Sequence, residues 1–468
     1  MTAARPAAWR AGTGGYALLW GGQAVSEIGT RMTTFALVWW AWGRTGEATP
    51  LALLMFFASA PALLLSPFAG VVVDRVSRRA VLFASDLGAA LGTAAILALL
   101  VAGRLEIWHV YAAQAVTSCF QSLQMPAYQA SATLMLPKSA YARAAGLTSL
   151  VASAATLAGP VLAAALLGPI GVAGVLAVDL ASFLVAAGTL AAVRVPRPPA
   201  GDEAAPARRP SIWTQAAVGF RHVFARPGLL GLQGSLSALN LLLMLAFALM
   251  APMVLARSGG EEAALAGVQA ALGAGGLAGG ALLGAWGGPR RKVHGVFGAM
   301  ALQGALGVAL LGVGGSLATW MAAAFAVTFF TPIVNGSNQA IWQRKVPPAL
   351  QGRVFAARRV LAQVTAPVAM LAAGPLADRV LEPGLAPGGP LVPLFGWLVG
   401  TGPGAGMALT FVVCGLAGSL VGFAGYLLPA VREVEDRLPD FDAASPAPPA
   451  TVAAAPVAAA PAAPAAEA

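Results

Sequence analysis

Gln23, Glu27, Thr30, Arg31 and Thr34 recur along the stretch LLWGGQAVSEIGTRMTTFALVWWAW at steps of four, seven, eight and eleven residues. That spacing stacks them on one face of a helix. Around them the stretch is apolar, so a carboxylate and a guanidinium stand one helical turn apart in a greasy segment. Two chemistries fit such a pair. Glu27 either takes up and releases a proton during a working cycle, or balances Arg31 as a permanent ion pair, which the i, i+4 spacing allows. Burial favours the neutral form of a carboxylate and a neighbouring guanidinium favours the charged form, so both readings stay open.

A second constellation lies in GVVVDRVSRRAVL, residues 70–82, where Asp74, Arg75, Arg78 and Arg79 crowd together between two apolar runs. Leu51–Val73 carries no charge, and Ala80–Val101 carries only Asp86. Neutral polar residues form a third group. Gln121, Gln124, Tyr128 and Gln129 fall in one apolar run, Asn240 in another, and Asn335, Ser337, Asn338 and Gln339 in a third. Amides in such runs either line a cavity or bond neighbouring helices. Asp179, in AVDLASFL, reads as a structural hydrogen-bonding acid, and Asp378 as a helix-end charge.

Composition dictates what positions these residues. Of 468 residues, 58% are hydrophobic and 10% charged, with a mean hydropathy of +0.76. Soluble domains carry about 25% charged residues, so most of this chain does not face water. A bilayer core needs roughly 20 apolar residues per helix. On that measure spans lie near 15–42, 51–73, 79–102, 107–134, 141–168 and 170–192, then near 228–256, 263–285, 293–314, 317–342, 354–377 and 403–428, about twelve in all. The expected divisions are a first bundle over 1–192, a linker over 193–226, a second bundle over 227–428 and a tail over 429–468. The linker ends in an amphipathic helix, with Ile212, Trp213, Ala216, Phe220 and Val223 at helical spacing, expected at the cytoplasmic interface. The Ala/Pro-rich tail is expected to be disordered. Residues 386–400 are apolar but too few to span, and read as an outer or re-entrant loop.

The net charge of +10 follows topology and not nucleic acid, since most of the 28 Lys and Arg fall on the side of the N-terminus. Basic loops mark the cytoplasmic face, so both termini are expected there. Cys119 and Cys414 lie in apolar runs and read as small core residues. No signal peptide is expected. The three histidines are scattered, no acidic pair stands at a reactive spacing outside Glu261-Glu262, and there is no nucleotide loop. Neither an enzyme, a metal nor a cofactor is expected.

Six spans plus six suggest a repeat. The second half carries GAWGGPRRKV, residues 284–293, where the first carries its charged junction, with Gly288 in place of Asp74. Gly70-Val-Val-Val-Asp74-Arg75-Val-Ser-Arg78-Arg79 resembles the G-x-x-x-D-R-x-G-R-R/K signature of the major facilitator superfamily, with Ser77 for its second glycine. The stretches LWGGQAVSEIGTRMT, PAYQASATLMLP, VDLASFLVAA, QAIWQRKVPPALQGRVFAARR and AAGPLADRV are similar to the branch of drug exporters related to macrolide-efflux and enterobactin-export proteins.

This resemblance implies an all-α membrane fold of two parallel-repeat six-helix bundles, working by alternating access. It implies that Gly70, Asp74, Arg75, Arg78 and Arg79 form a gating latch, with Asp74 reaching the start of the eleventh span at Arg353, Arg358 or Arg359, although the arginines alone would also serve as a topology anchor. Asp86 is expected to join Arg78 and Arg79. The fourth, seventh and tenth spans line a cavity in this superfamily, which makes Gln124, Gln129, Asn240, Asn335 and Gln339 candidate substrate contacts beside Gln23, Glu27 and Arg31. Gly159-Pro160 echoes the exporters' glycine-rich fifth-span motif, with alanines for three glycines. The expected function is proton-coupled efflux of a small amphipathic organic molecule, drug, macrolide or siderophore-like, by a bacterial inner-membrane protein, monomeric by preference. A lipid flippase or importer of the same fold is the alternative, and a membrane-embedded enzyme a more distant one.

Overall fold

Hydrocarbon offers backbone groups no partners, so apolar runs of this length close their hydrogen bonds internally as helices. The computed structural model describes residues 12–136, 141–193 and 212–441, and among these no strand occurs. For residues 66–75, 129–130, 132–134, 141–147, 149–150, 212–216, 348–349 and 352 the description stops at the backbone, so the side chains of Gly70, Asp74, Arg75, Gln129, Ile212, Trp213 and Ala216 lie outside the described residues.

Nine of the described helices are long and apolar enough to cross a membrane. One of the nine, Val151–Ala192, has 42 residues and is broken at Gly171, whose φ of 65° suits glycine. It is the fifth and sixth spans meeting at a corner. The first span, Thr13–Thr45, and the fourth, Ile107–Met135, have 33 and 29 residues, ample for a bilayer of about 30 Å. They fall short in hydropathy because they carry Gln23, Glu27 and Arg31, and Gln114, Gln121 and Gln124, respectively. The residues that dilute these two spans are the ones with chemistry to offer.

Within the first bundle, the first span packs along the fifth and the second along the fourth. Gly159 permits the first of these contacts: a Cβ there would stand 2.4 Å from the Cβ of Arg31. In the second bundle the eighth span, Glu262–Trp286, packs on the tenth, Leu317–Lys345, with Gly279 against the carbonyl of Phe329. The bundles meet where the fifth span crosses the eighth, Gly273 against Leu157, and where the second, Ala48–Arg75, crosses the eleventh, Gly374 against Thr49. The largest apolar cluster draws on both bundles, from Met32 and Phe35 to Leu249, Met253 and Phe411.

Helices that run up and down leave two faces. The terminal face holds the start of the first span and the end of the twelfth, Ala405–Leu427; the far face holds the corners at Gly46 and Gly260. The linker helix, Ile212–Phe224, packs on the eleventh span at the terminal face, with Gly219 against the carbonyl of Arg353 and Val223 fully buried. Between the last two spans, Val392–Val399 forms a helix of 8 residues that is too short to cross, with Trp397 exposed.

Residues 429–441 fold back on the terminal face, because their acids find the cations of the basic junctions there. Asp436 pairs with Arg291 at 3.1 Å, Asp440 pairs with Lys345 at 2.7 Å, and Glu435 accepts from the N–H of Val293 at 2.9 Å. Hydrogen bonding from Lys345 holds the Asp440 carboxyl below the ordinary carboxylate range. Beyond Phe441 the tail lies outside the described residues.

Candidate functional site

Each bundle holds a cavity of about 520 Å³ at mid-depth. In the first bundle Glu27 and Arg31 line it, together with Gln23, Gln121, Gln124 and Asp179. Arg31 donates from Nε and Nη2 to the same Glu27 oxygen, at 3.0 and 2.8 Å. The Glu27 and Arg31 side chains are 39% and 47% exposed, so the pair faces the open space of the cavity.

Asp86 departs from its expected place. It is buried and its carboxylate accepts from Gln23 at 3.0 Å and from Gln124 at 2.9 Å, while Gln124 also donates to Gln23. Two turns into the third span, Arg78–Val101, it points at the first and fourth spans and not at Arg78 or Arg79. The acid therefore fastens three helices behind the cavity wall. Asp86→Ala would leave two half-buried amides without their shared acceptor, at up to about 1 kcal/mol each. The thermal midpoint of the purified protein should fall, with cysteine accessibility at the terminal face unchanged; a changed accessibility would return Asp86 to the latch. Asp179 keeps its structural reading, buried and accepting from Thr93 and Ser182, both at 3.4 Å.

In the second bundle Asn240, Asn335, Gln339 and Arg358 line the cavity. Gln233 and Gln303 also belong to this polar lining. Asn240 donates to the carbonyl of Ala362 at 2.6 Å, and Gln303 to Val327 and Thr331. Gln339 accepts from Arg358 at 3.2 Å.

At the terminal face, Ser77 caps the third span by accepting from the N–H of Ala80 at 3.3 Å. The serine that replaces the signature glycine thus supplies a helix start. Arg79 donates to the carbonyl of Ala191 at 2.9 Å, inside its own bundle. Arg353 and Arg359 are exposed on the eleventh span, whose first segment, Pro348–Gln363, packs on the linker helix and the seventh span.

The far face is sealed. Asp378 of the second bundle accepts from the N–H groups of Ala48 and Thr49, at 3.0 and 2.7 Å, and from the Thr49 hydroxyl. These are the first groups of the second span, which have no partners within their own helix. Trp39 donates to the carbonyl of Gly260 at 3.2 Å, again across bundles. Asp378 sits on a π-turn, Ala377–Leu381. It is more than a helix-end charge, and the sequence carried a signal for it: Gly374-Pro-Leu-Ala-Asp378-Arg379 repeats the G-x-x-x-D-R of Gly70–Arg75.

Comparison with known proteins bears on this arrangement. The family profile described as Major Facilitator Superfamily matches residues 19–370. Macrolide efflux protein A of Streptococcus pyogenes is 22% identical over 364 residues, 77% of this chain and 89% of that protein. An uncharacterized MFS-type transporter, YfiS, of Bacillus subtilis is 26% identical over 167 residues, covering 35% of this chain and 39% of its own. Among solved structures, a bacterial homolog of the human lysosomal transporter Spinster, inward-facing and unoccupied, superposes with a TM-score of 0.59 at 16% identity, covering 89% of this chain and 95% of that one. A POT family transporter in complex with 5-aminolevulinic acid gives a TM-score of 0.63 at 11% identity, covering 91% and 99%.

Proposed function

The chain belongs to the major facilitator superfamily, and from that premise we propose that it is a proton-coupled exporter of a small amphipathic organic molecule, working by alternating access in a bacterial inner membrane with its terminal face in the cytoplasm. That it is a multi-pass membrane transporter with a small-molecule cargo follows from the family and its relatives. The reading of efflux leans on the similarity to a macrolide efflux protein and on Gly159-Pro160.

The observation that carries alternating access is the seal at the far face. Asp378 closes G-x-x-x-D-R of the eleventh span on the first N–H groups of the second. The second span ends in its own G-x-x-x-D-R, residues 70–75, at the other face, the face at which the eleventh starts. The two spans run antiparallel, so each carries a carboxylate at its end for the other's start. A carboxylate is favoured at a helix N-terminus. One latch is engaged at the far face. We assign the other, Asp74 with Arg75, Arg78 and Arg79, to the terminal face, where Arg353 and Arg359 are the exposed cations. Asp74→Asn should leave insertion intact, raise labelling of cavity cysteines from the cytoplasmic side and cut transport severely; normal labelling with normal transport would remove the latch.

Glu27 supplies the proton site in this scheme. Its pair with Arg31 faces the cavity, so a change in the cavity's water content alters which form of the carboxyl is favoured. Inside-out vesicles given a pH gradient and offered a macrolide, a catecholate siderophore and a dansylated amino acid test the whole reading. Gradient-dependent accumulation of at least one is expected. Transport that ignores the gradient, or movement of phospholipid alone, would favour a facilitator or a flippase.

A further inference from the structure

Arg31, Arg257 and Arg358, each in a described membrane-spanning helix, are partnered in three different ways. Arg31 pairs with Glu27 at 2.8 Å. Arg257, at the far end of the seventh span, spends its donors on the backbone carbonyls of Gly312, Gly314 and Val399 and is structural. Arg358 has neither arrangement. Its Nε donates to Gln233 at 3.4 Å and its Nη1 to Gln339 at 3.2 Å, both long contacts to neutral amides. No carboxylate oxygen among the described residues lies within 4.0 Å of it. A guanidinium has five N–H donors, so most of its capacity is unspent.

The side chain is nonetheless held. Its guanidinium lies 4.4 Å from the ring centre of Trp342 and 5.5 Å from that of Phe355, and such stacking fixes the plane of the fork. It lines the second-bundle cavity with Asn335, Gln339, Leu243, Met244 and Phe247. A cation inside a membrane is costly without a partner, and a fixed, under-used fork suits a planar bidentate anion. Resting on the exporter reading, we propose that Arg358 is the anchor for an acidic group of the cargo, a carboxylate or its planar equivalent, on a molecule whose apolar body lies against Leu243, Met244 and Phe247.

Equilibrium binding to the purified, detergent-solubilised protein tests this without reference to direction or protons, so it can fail while export stands. The probes are dansyl-phenylalanine and its methyl ester, in which one methyl group replaces the negative charge. Wild type should bind the acid at least about tenfold more tightly than the ester, the range of a charge-assisted hydrogen bond. Arg358→Gln should erase that preference while still binding the ester, which shows the variant is folded. Arg358→Lys should retain part of the preference, having the charge without the fork. Equal binding of acid and ester by wild type, no saturable binding of either, or a preference that survives in Arg358→Gln would overturn the assignment.

Discussion

Glu27→Gln is expected to abolish uphill, pH-driven export while leaving downhill exchange of a neutral cargo largely intact. A proton carrier must be neutral in one state and charged in another, and its surroundings must change between them. The proposed role suits the place of Glu27: it lines a cavity, and its one charged partner among the described residues, Arg31, sits one turn away with both side chains partly open to that cavity. In the proposed cycle the two side chains pair in one state and part in the other. Glutamine imitates the protonated form permanently and breaks the cycle. The substitution should hardly disturb the fold, since a pair this exposed contributes about 0–1 kcal/mol. Glu27→Asp keeps the acid one methylene shorter and should retain some coupling. Accumulation of cargo in vesicles under an imposed pH difference measures it, and a Gln variant that still builds a gradient would leave the pair as a structural one.

The second large effect is expected at the far face. Asp378→Ala removes the acceptor for two backbone N–H groups and a hydroxyl at the start of the second span. Charge-assisted hydrogen bonds are worth about 1.5–3 kcal/mol each, and a tenfold change in an equilibrium needs about 1.4 kcal/mol. Losing the cluster should therefore move the population by tenfold or more towards the form open at the far face. A cysteine at Thr34, in the first-bundle cavity, should then react faster with a membrane-impermeant maleimide added from outside. Asp378→Asn, which keeps one acceptor oxygen, should show a smaller shift. An unchanged rate in the alanine variant would mean that the apolar contact between bundles, centred on residues such as Leu249 and Met253, holds the face closed without Asp378.

Much of this was legible in the residues. The polar stripe from Gln23 to Thr34 demanded a cavity because no helix presents charge to lipid at low cost, and the cavity is there. Asn240, Asn335 and Gln339 were readable for the same reason. What stayed hidden was direction around a helix axis. Asp86 stands near Arg78 and Arg79 along the chain, yet the helix turns it towards Gln23 and Gln124. Arg358 likewise follows Arg353 by little more than a turn but faces the cavity wall at Gln233 and Gln339. The acids of the tail were visible, but their docking on Arg291 and Lys345 depends on distant basic junctions meeting at one face. Asp378 could have been found from its G-x-x-x-D-R spacing, since that pattern had already been singled out at Asp74.

The proposed pairing of a terminal-face latch with the far-face one requires the faces to open in opposition. Paired spin labels measure this directly, with one pair replacing Glu47 and Val380 at the far face and another replacing Val76 and Ala356 at the terminal face. All four positions are exposed. In Asp378→Ala, relative to wild type, the far-face distance should lengthen in the same fraction of molecules in which the terminal-face distance shortens. Distances that stay fixed at both faces, or that lengthen and shorten together, would contradict alternating access through reciprocal latches.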